Sequence, residues 1–389
     1  MQARLIQFIA VALMSSVVGC APAPTAAGQS ATPTQADLTR EYGTVAAGFV
    51  HTCALDRQGA AFCWGNNDYS QLGAETNEKC GGRPCSTSPL AVRGNVTFTT
   101  VSAGWVHNCG IAADGRAWCW GGGSVERQGY LGDGTLRRSI DPVAVASDSA
   151  FVSITIGDGH TCALTTSGRA YCWGENDLGQ IGDGSTDDRA LPVPVAGSLR
   201  FRELSAGAYH TCGITLTDVA YCWGDNRWGQ LGAGDVPYNS VAAARNIPVA
   251  VVGQIEWARV AAGWQHTCAI ASSGVTHCWG RNEDAKQLGD ESGVTHRGTP
   301  APVADAPSFT AITAGPLATC GRTTGGDTWC WGGNYYGGLG DGTVAQGVAR
   351  PTRVQGGPFI EIALGQAHSC ALGNDRELWC WGDKSAGQY

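Results

Sequence analysis

The chain has 389 residues, among them 57 glycines, 14 tryptophans and 2 methionines, and charged residues make up 15%. That balance favours turns and strands and excludes a helical bundle or a coiled coil. A formal charge of −8 with no Lys/Arg cluster lacks the electrostatic footprint that phosphate contacts need, which argues against nucleic acid as a partner.

Residues 1–20 carry one positive charge at Arg4, an apolar stretch from Leu5 to Met14, and small residues leading to Gly19-Cys20, the layout of a secretory signal. Val17-Val18-Gly19-Cys20 is similar to a bacterial lipobox, in which the cysteine is lipidated and becomes the first mature residue. The expectation is therefore an exported chain, periplasmic or at the cell surface, tied to the membrane through Cys20. No later apolar run approaches the length of a span. Residues 21–32 hold no charge and almost no large apolar group, and read as a flexible tether. Residues 33–389 read as one repetitive domain.

Apart from Cys20, the cysteines fall into register. Cys53 and Cys63, Cys109 and Cys119, Cys162 and Cys172, Cys212 and Cys222, Cys268 and Cys278, Cys320 and Cys330, and Cys370 and Cys380 are each ten residues apart, while Cys80 and Cys85 form an eighth, closer pair. Successive first cysteines are separated by 56, 53, 50, 56, 52 and 50 residues, a period in the range of propeller blades. Each unit reads Gly-x-x-His-Thr-Cys-Ala-Leu, a turn, Cys-Trp-Gly, Asn-x-x-x-Gln-Leu-Gly-Asp-Gly, then Pro-x-x-Val.

The ten-residue spacing follows from a three-residue hairpin loop. With Gly59 in the left-handed position, Leu55 pairs with Ala61 and Cys53 with Cys63, in a non-hydrogen-bonded pair whose Cα atoms come close enough for a disulfide. Gly115, Gly168, Gly274 and Gly326 hold the same position. Asp218 tolerates it, whereas Arg376 does not suit it, so a different seventh turn is expected. Zinc is the competing reading of the thiols, but a Cys-x9-Cys pair lacks short ligand spacing and an exported chain meets oxidising conditions. The eight pairs are therefore expected as disulfides, local to each unit.

Every unit carries four strands, in the first near Val45–Gly48, His51–Leu55, Ala60–Trp64 and Pro89–Val92. Only six Pro-x-x-Val strands occur, at Pro89, Pro142, Pro192, Pro248, Pro300 and Pro351. The stretch from Pro33 to Leu38 can supply the seventh, closing a ring and removing exposed strand edges. The fold class expected is all-β.

These units, Gly-x-x-His-Thr-Cys-Ala-Leu followed by Cys-Trp-Gly-x-Asn-x-x-Gly-Gln-Leu-Gly over residues 43–389, resemble the repeat of the regulator of chromosome condensation family. The resemblance implies a seven-bladed β-propeller. It leaves function open, since the family includes an exchange factor for a Ran-type GTPase, a plant ultraviolet photoreceptor, ubiquitin-ligase accessory domains and a secreted β-lactamase inhibitor. The photoreceptor's Gly-Trp-Arg-His-Thr pattern is absent: Trp105 and Trp264 are followed by Val106 and Gln265.

Candidate sites divide by whether they repeat. His51, His107, His160, His210, His266 and His368 share one position, with Ala318 in the sixth unit; they are expected as hydrogen-bonded structural groups, with no metal. Trp64, Trp120, Trp173, Trp223, Trp279, Trp331 and Trp381 are expected in inter-blade packing. The Gly-Asp-Gly turns at Asp133, Asp183 and Asp341 lack the further ligands of a calcium loop. No cofactor motif appears, and no catalytic residue is assigned. What does not repeat is the aromatic content of two loop sets on one face: Phe49, Trp105, Tyr209 and Trp264 in the first, Tyr69, Trp228, Tyr335 and Tyr336 in the second. Aromatics in variable loops anchor interfaces. The function expected is a binding module for another protein or an envelope glycan. The alternatives are a surface-polysaccharide hydrolase or lyase, using loop carboxylates such as Glu75, Asp158 and Glu283, and an exchange-type regulator. Converging acids at the channel mouth would favour an enzyme, and an aromatic plateau a binder.

Overall fold

Alternation explains the Cys-Trp dipeptide. Successive side chains of a strand point to opposite faces, so in Ala61–Asn66 Cys63 faces one neighbouring blade while Phe62 and Trp64 face the other. In the computed structural model, which describes residues 29–37, 40–123, 129–234, 240 and 243–388, this pattern builds seven antiparallel sheets in a ring, a seven-bladed β-propeller. Six sheets have four strands; the first gains a short fifth, Lys79–Cys80, beside its outermost strand Arg83–Ala91. Among the described residues no helix is long and apolar enough to cross a membrane.

The hairpins have the expected register. Cys53 opposes Cys63 and Leu55 opposes Ala61, and the pattern recurs in the other six blades. All eight cysteine pairs are bridged as expected. Cys53–Cys63, Cys109–Cys119, Cys162–Cys172, Cys212–Cys222, Cys268–Cys278, Cys320–Cys330 and Cys370–Cys380 each staple the second and third strands of one blade. Their Cα atoms lie 4.1 Å apart at Cys53–Cys63, 4.0 Å at Cys109–Cys119 and 4.1 Å at both Cys212–Cys222 and Cys268–Cys278. Cys80–Cys85, at 5.7 Å, closes the small extra hairpin of the first blade.

The seventh turn is not different. Arg376 adopts φ 68° where Gly59 has 82° and Asp218 has 60°. Its left-handed backbone is held from outside: the Arg376 guanidinium donates to the Gly43 carbonyl at 3.0 Å, and Tyr42 N–H donates to the Arg376 carbonyl at 3.2 Å. Most blades repeat that second bond. Phe98, Phe151, Phe201 and Trp257 donate to Gly59, Gly115, Gly168 and Asp218, so these turns are clamped by the next blade's entry.

The last blade contains strands Phe359–Leu364, His368–Gly373 and Leu378–Asp383, and its outermost strand comes from the other end of the chain. That strand runs Gln29–Asp37, so residues 29–32, expected in the tether, belong to the blade. Thr34 opposes Cys380 just as Thr352 opposes Cys330 and Val193 opposes Cys172. Pro33 is thus the seventh member of the proline set. Proline lacks an N–H, and the outermost strand, with a register shift beside it in each case cited, is where a sheet tolerates that loss.

The core lies between blades. Seven apolar clusters each join one blade to the next; in one of them Cys53, Leu55, Ala61, Cys63 and Leu72 meet Phe98, Val101 and Trp120. The last joins Cys370, Leu372, Leu378 and Cys380 to Tyr42, Val45, Ala54 and Trp64. Each Cys-Trp-Gly tryptophan is buried against the aromatic that opens its own blade, as in Tyr42–Trp64, Phe98–Trp120 and Phe201–Trp223, with centroids 6.3, 5.7 and 5.7 Å apart.

Candidate functional site

Antiparallel pairing puts the Gly-x-x-His loops and the loops after Cys-Trp-Gly on one face, and the hairpin turns on the other. At the centre of the first face, the Gly-x-x-His glycines stand so close that a Cβ on Gly157 would overlap the Gly207 carbonyl and lie 2.5 Å from His160 Cε1. The imidazole folds back over the glycine of its own motif, which is why the pair recurs together.

Each of the six histidines reaches the next blade. His51 Nε2 bonds Asn108 Oδ1 at 2.7 Å, and His107, His160, His210, His266 and His368 bond Thr161, Thr211, Thr267, Thr319 and Thr52 at 2.8–3.0 Å. Thr211 and Thr267 in turn donate to the main-chain carbonyls of Gln180 and Gln230, at 3.0 and 2.9 Å. The same carbonyls accept the indole N–H of Trp223 and Trp279 at 2.9 Å. A threonine that donates to a carbonyl accepts from histidine, so Nε2 carries the proton. Nδ1 is buried without a partner, and burial holds the imidazoles at about 3 to 4, well below the usual histidine range. These are neutral structural groups a blade apart. Gln388 closes the circle, its carbonyl accepting Trp64 Nε1–H at 2.6 Å and Thr52 Oγ1–H at 3.2 Å.

The Gly-Asp-Gly turns are occupied by protein donors. Asp183 Oδ1 accepts the Ser185 N–H and hydroxyl at 2.8 and 2.7 Å, and its Oδ2 accepts Arg189 Nε–H at 2.7 Å.

The residue after the motif glycine faces the axis. Phe49, Trp105, Asp158, Ala208, Trp264 and Pro316 line one axial mouth over the glycines. Phe49 lies 5.4 Å from Trp105 and 5.8 Å from Trp264 by ring centroids. Trp264 belongs to the fifth blade and Phe49 to the first, so this contact crosses the axis. Trp264 Nε1–H donates to Asp158 Oδ2 at 2.7 Å. Asp158 is only 9% exposed, and burial pushes its carboxyl up to about 6. Beside it, burial and the charges of Asp177, Asp158 and Asp188 push Glu175 up to about 7. Tyr209 and Tyr130 feel the same acids and are raised too, chiefly by burial.

Of the eight aromatics expected on this face, the structure brings Phe49, Trp105 and Trp264 together at the mouth and places Tyr209 beside Asp158 and Glu175. Tyr335 and Tyr336 are exposed, and Tyr69 is half-buried. Trp228 is 7% exposed, with the Arg281 guanidinium 4.7 Å from its ring. The three loop carboxylates do not converge. Glu75 lies 3.4 Å from Arg93, Glu283 accepts Arg281 Nε–H at 2.8 Å, and Asp158 alone reaches the mouth. The Asp158–Trp264 bond and Glu175 went unseen in the sequence. Aligning the units on Gly-x-x-His shows the signal, an acid where three other blades carry an aromatic.

Cys20 lies outside the described residues. Comparison with known proteins agrees with the architecture. Residues 18–355 match the RCC1-like domain family, and residues 359–388 match the regulator of chromosome condensation (RCC1) repeat. The human protein named probable E3 ubiquitin-protein ligase HERC6 is 30% identical over 140 residues, 35% of this chain and 13% of the ligase's length. The structure of human WBSCR16 aligns with a TM-score of 0.75 at 18% identity, covering 90% of this chain and 89% of that one. Yeast RCC1 (Prp20), solved bound to Kap60, aligns with a TM-score of 0.72 at 20% identity, covering 87% and 79%. The chain belongs to the RCC1-like domain family.

Proposed function

We propose that this propeller is an exported, lipid-anchored binding module whose partner, another protein or an envelope glycan, docks on the Gly-x-x-His face. The observation that carries this reading is the unequal treatment of aromatics: those that repeat are buried between blades, while Phe49, Trp105, Trp264, Tyr335 and Tyr336 gather on one loop face. That yeast RCC1 (Prp20) was solved bound to another protein, Kap60, supports a protein partner. The lipobox motif at Cys20 supports the anchor, and residues 21–28 would then let the propeller stand at most roughly 28 Å from the lipid.

One observation favours the second reading, a hydrolase or lyase of surface polysaccharide: Asp158 and Glu175 are carboxyls raised toward neutrality on this same face. It is the weaker reading, because one Asp158 oxygen is already engaged by Trp264.

Two experiments separate these statements. Cys20→Ala should move the protein from the membrane to the soluble fraction without changing its melting temperature; an unchanged distribution contradicts the anchor. Affinity capture from envelope extract by wild type and by the double variant Tyr335→Ala with Tyr336→Ala should differ in the amount of one retained partner, and equal capture contradicts the face.

A further inference from the structure

We propose that the axial mouth binds a single alkylammonium group, held against the rings of Phe49, Trp105 and Trp264 and neutralised by the Asp158 carboxylate. This names the ligand chemistry of the binding face and rests on the reading of that face as a docking surface.

Three aromatic rings and one carboxylate line the mouth together. An aromatic face carries negative charge density and attracts a cation that has an apolar shell. Asp158 is nine-tenths buried, and its side chain is bonded to the indole N–H of Trp264. Among the described residues no lysine or arginine lies within ion-pair distance of it. A buried carboxylate without a counter-charge is costly, and a ligand cation offsets that cost. The nearby arginines are committed elsewhere: Arg227 is bonded to Asp225 at 2.9 Å and Arg281 to Glu283. The charges of Asp177 and Asp188, which with Asp158 raise Glu175, make that side of the mouth negative.

The class of cation follows from the donor set. A metal ion needs several oxygen ligands, and the mouth offers one carboxylate. A guanidinium binds best when both carboxylate oxygens are free, and Oδ2 already accepts the indole. An ammonium needs only one oxygen and places its methyl or methylene groups on the rings. The head group approaches from the loop face, beside the Phe49–Trp264 contact that crosses the axis, over a floor made mostly of the motif glycines.

The test is titration of the purified full chain, followed by tryptophan fluorescence and calorimetry. The probes are choline, Nα-acetyl-lysine methylamide with its free ε-ammonium, and 3,3-dimethylbutan-1-ol, the neutral isostere of choline. Saturable binding of either cation is expected, with the neutral isostere weaker by about tenfold or more. The tighter cation tells whether the natural head is a free quaternary ammonium or a partner's lysine. Asp158→Asn, which keeps an acceptor for Trp264, should weaken choline by about tenfold, and Trp105→Leu, which leaves Asp158 untouched, should also weaken it. No saturation by either cation, equal affinity for the neutral isostere, or full affinity in both variants overturns the proposal. Choline that saturates without displacing a captured partner upholds the site and removes it from that interface. Partner capture that depends on Tyr335 and Tyr336 while choline fails to bind overturns the ammonium site and leaves the docking face standing.

Discussion

Lowering the pH should unfold this propeller through its histidine ring. Six imidazoles are buried and neutral, with values of about 3 to 4 against an ordinary 6.5. Above pH 6.5 neither the folded nor the unfolded chain protonates them, and their contribution is fully present. Below it the unfolded chain takes up protons that the folded chain refuses until pH 3 to 4. Each histidine then costs about 1.4 kcal/mol per pH unit, about 2 kcal/mol by pH 5, and the six together about 12 kcal/mol. Asp158 and Glu175 act in the opposite sense: raised to about 6 and about 7, they bind protons more readily in the folded chain and return roughly 3 kcal/mol over the same interval. The net loss of roughly 9 kcal/mol is comparable to the whole stability of an ordinary domain. Urea unfolding followed by tryptophan fluorescence at pH 7.5, 6, 5.5 and 5 measures it directly. A midpoint already lower at pH 6 than at pH 7.5, by roughly 3 kcal/mol of stability, and falling steeply below is expected. A stability at pH 5 within about 2 kcal/mol of that at pH 7.5 would refute the claim that the ring is buried and neutral.

Three further outcomes follow from the same geometry. The histidine ring is broken between the sixth and seventh blades, where Ala318 replaces the His and Ser369 the Thr that five other blades carry; Ala318→His with Ser369→Thr should be more stable than the sum of the single variants by about 1 kcal/mol, and a double-mutant cycle with no coupling sinks the idea. Deleting Gln29–Asp37 strips the outermost strand from the last blade and should lower the melting temperature by more than about 10 °C, whereas a change of a degree or two would mean the strand is dispensable. Gly157→Ala should cost about 2 to 4 kcal/mol because its Cβ overlaps the Gly207 carbonyl, while Gly197→Ala, in open space at φ 87°, should cost about 1 kcal/mol; equal losses in denaturant melts would contradict the close glycine ring.

Much of the architecture was legible because each unit repeats its constraints. The hairpin register between Cys53 and Cys63 follows from loop length alone, and seven equal spacings leave little freedom for another strand order. What escaped depended on contacts between blades. Arg376 looked unfit for a left-handed turn because its compensating bond to Gly43 comes from residues more than 300 positions away. Pro33 belongs to the proline set only once the chain's two ends pair. The aromatics that open each blade, such as Phe98 and Phe201, stand a constant 22 residues before the Cys-Trp-Gly tryptophan, so the sequence repeats this pair in every unit, while its stacking is a contact seen only in the fold. At the candidate site, composition marked the aromatic loops but not their depth: Trp228 is buried while Tyr335 and Tyr336, also in the second loop set, are exposed. Asp158 stands where three other units carry an aromatic, but its burial and its bond to the Trp264 indole appear only in the fold.

Site-specific photo-crosslinking in intact cells tests the docking face most directly, because it traps whatever partner is bound. A benzophenone side chain carried in place of Tyr336, on the Gly-x-x-His face, is compared with one in place of Leu216, which is 61% exposed in a hairpin turn on the opposite face. A discrete adduct from position 336 and none from position 216 is the expected result. Adducts confined to position 216 would contradict the assignment of function to the aromatic face.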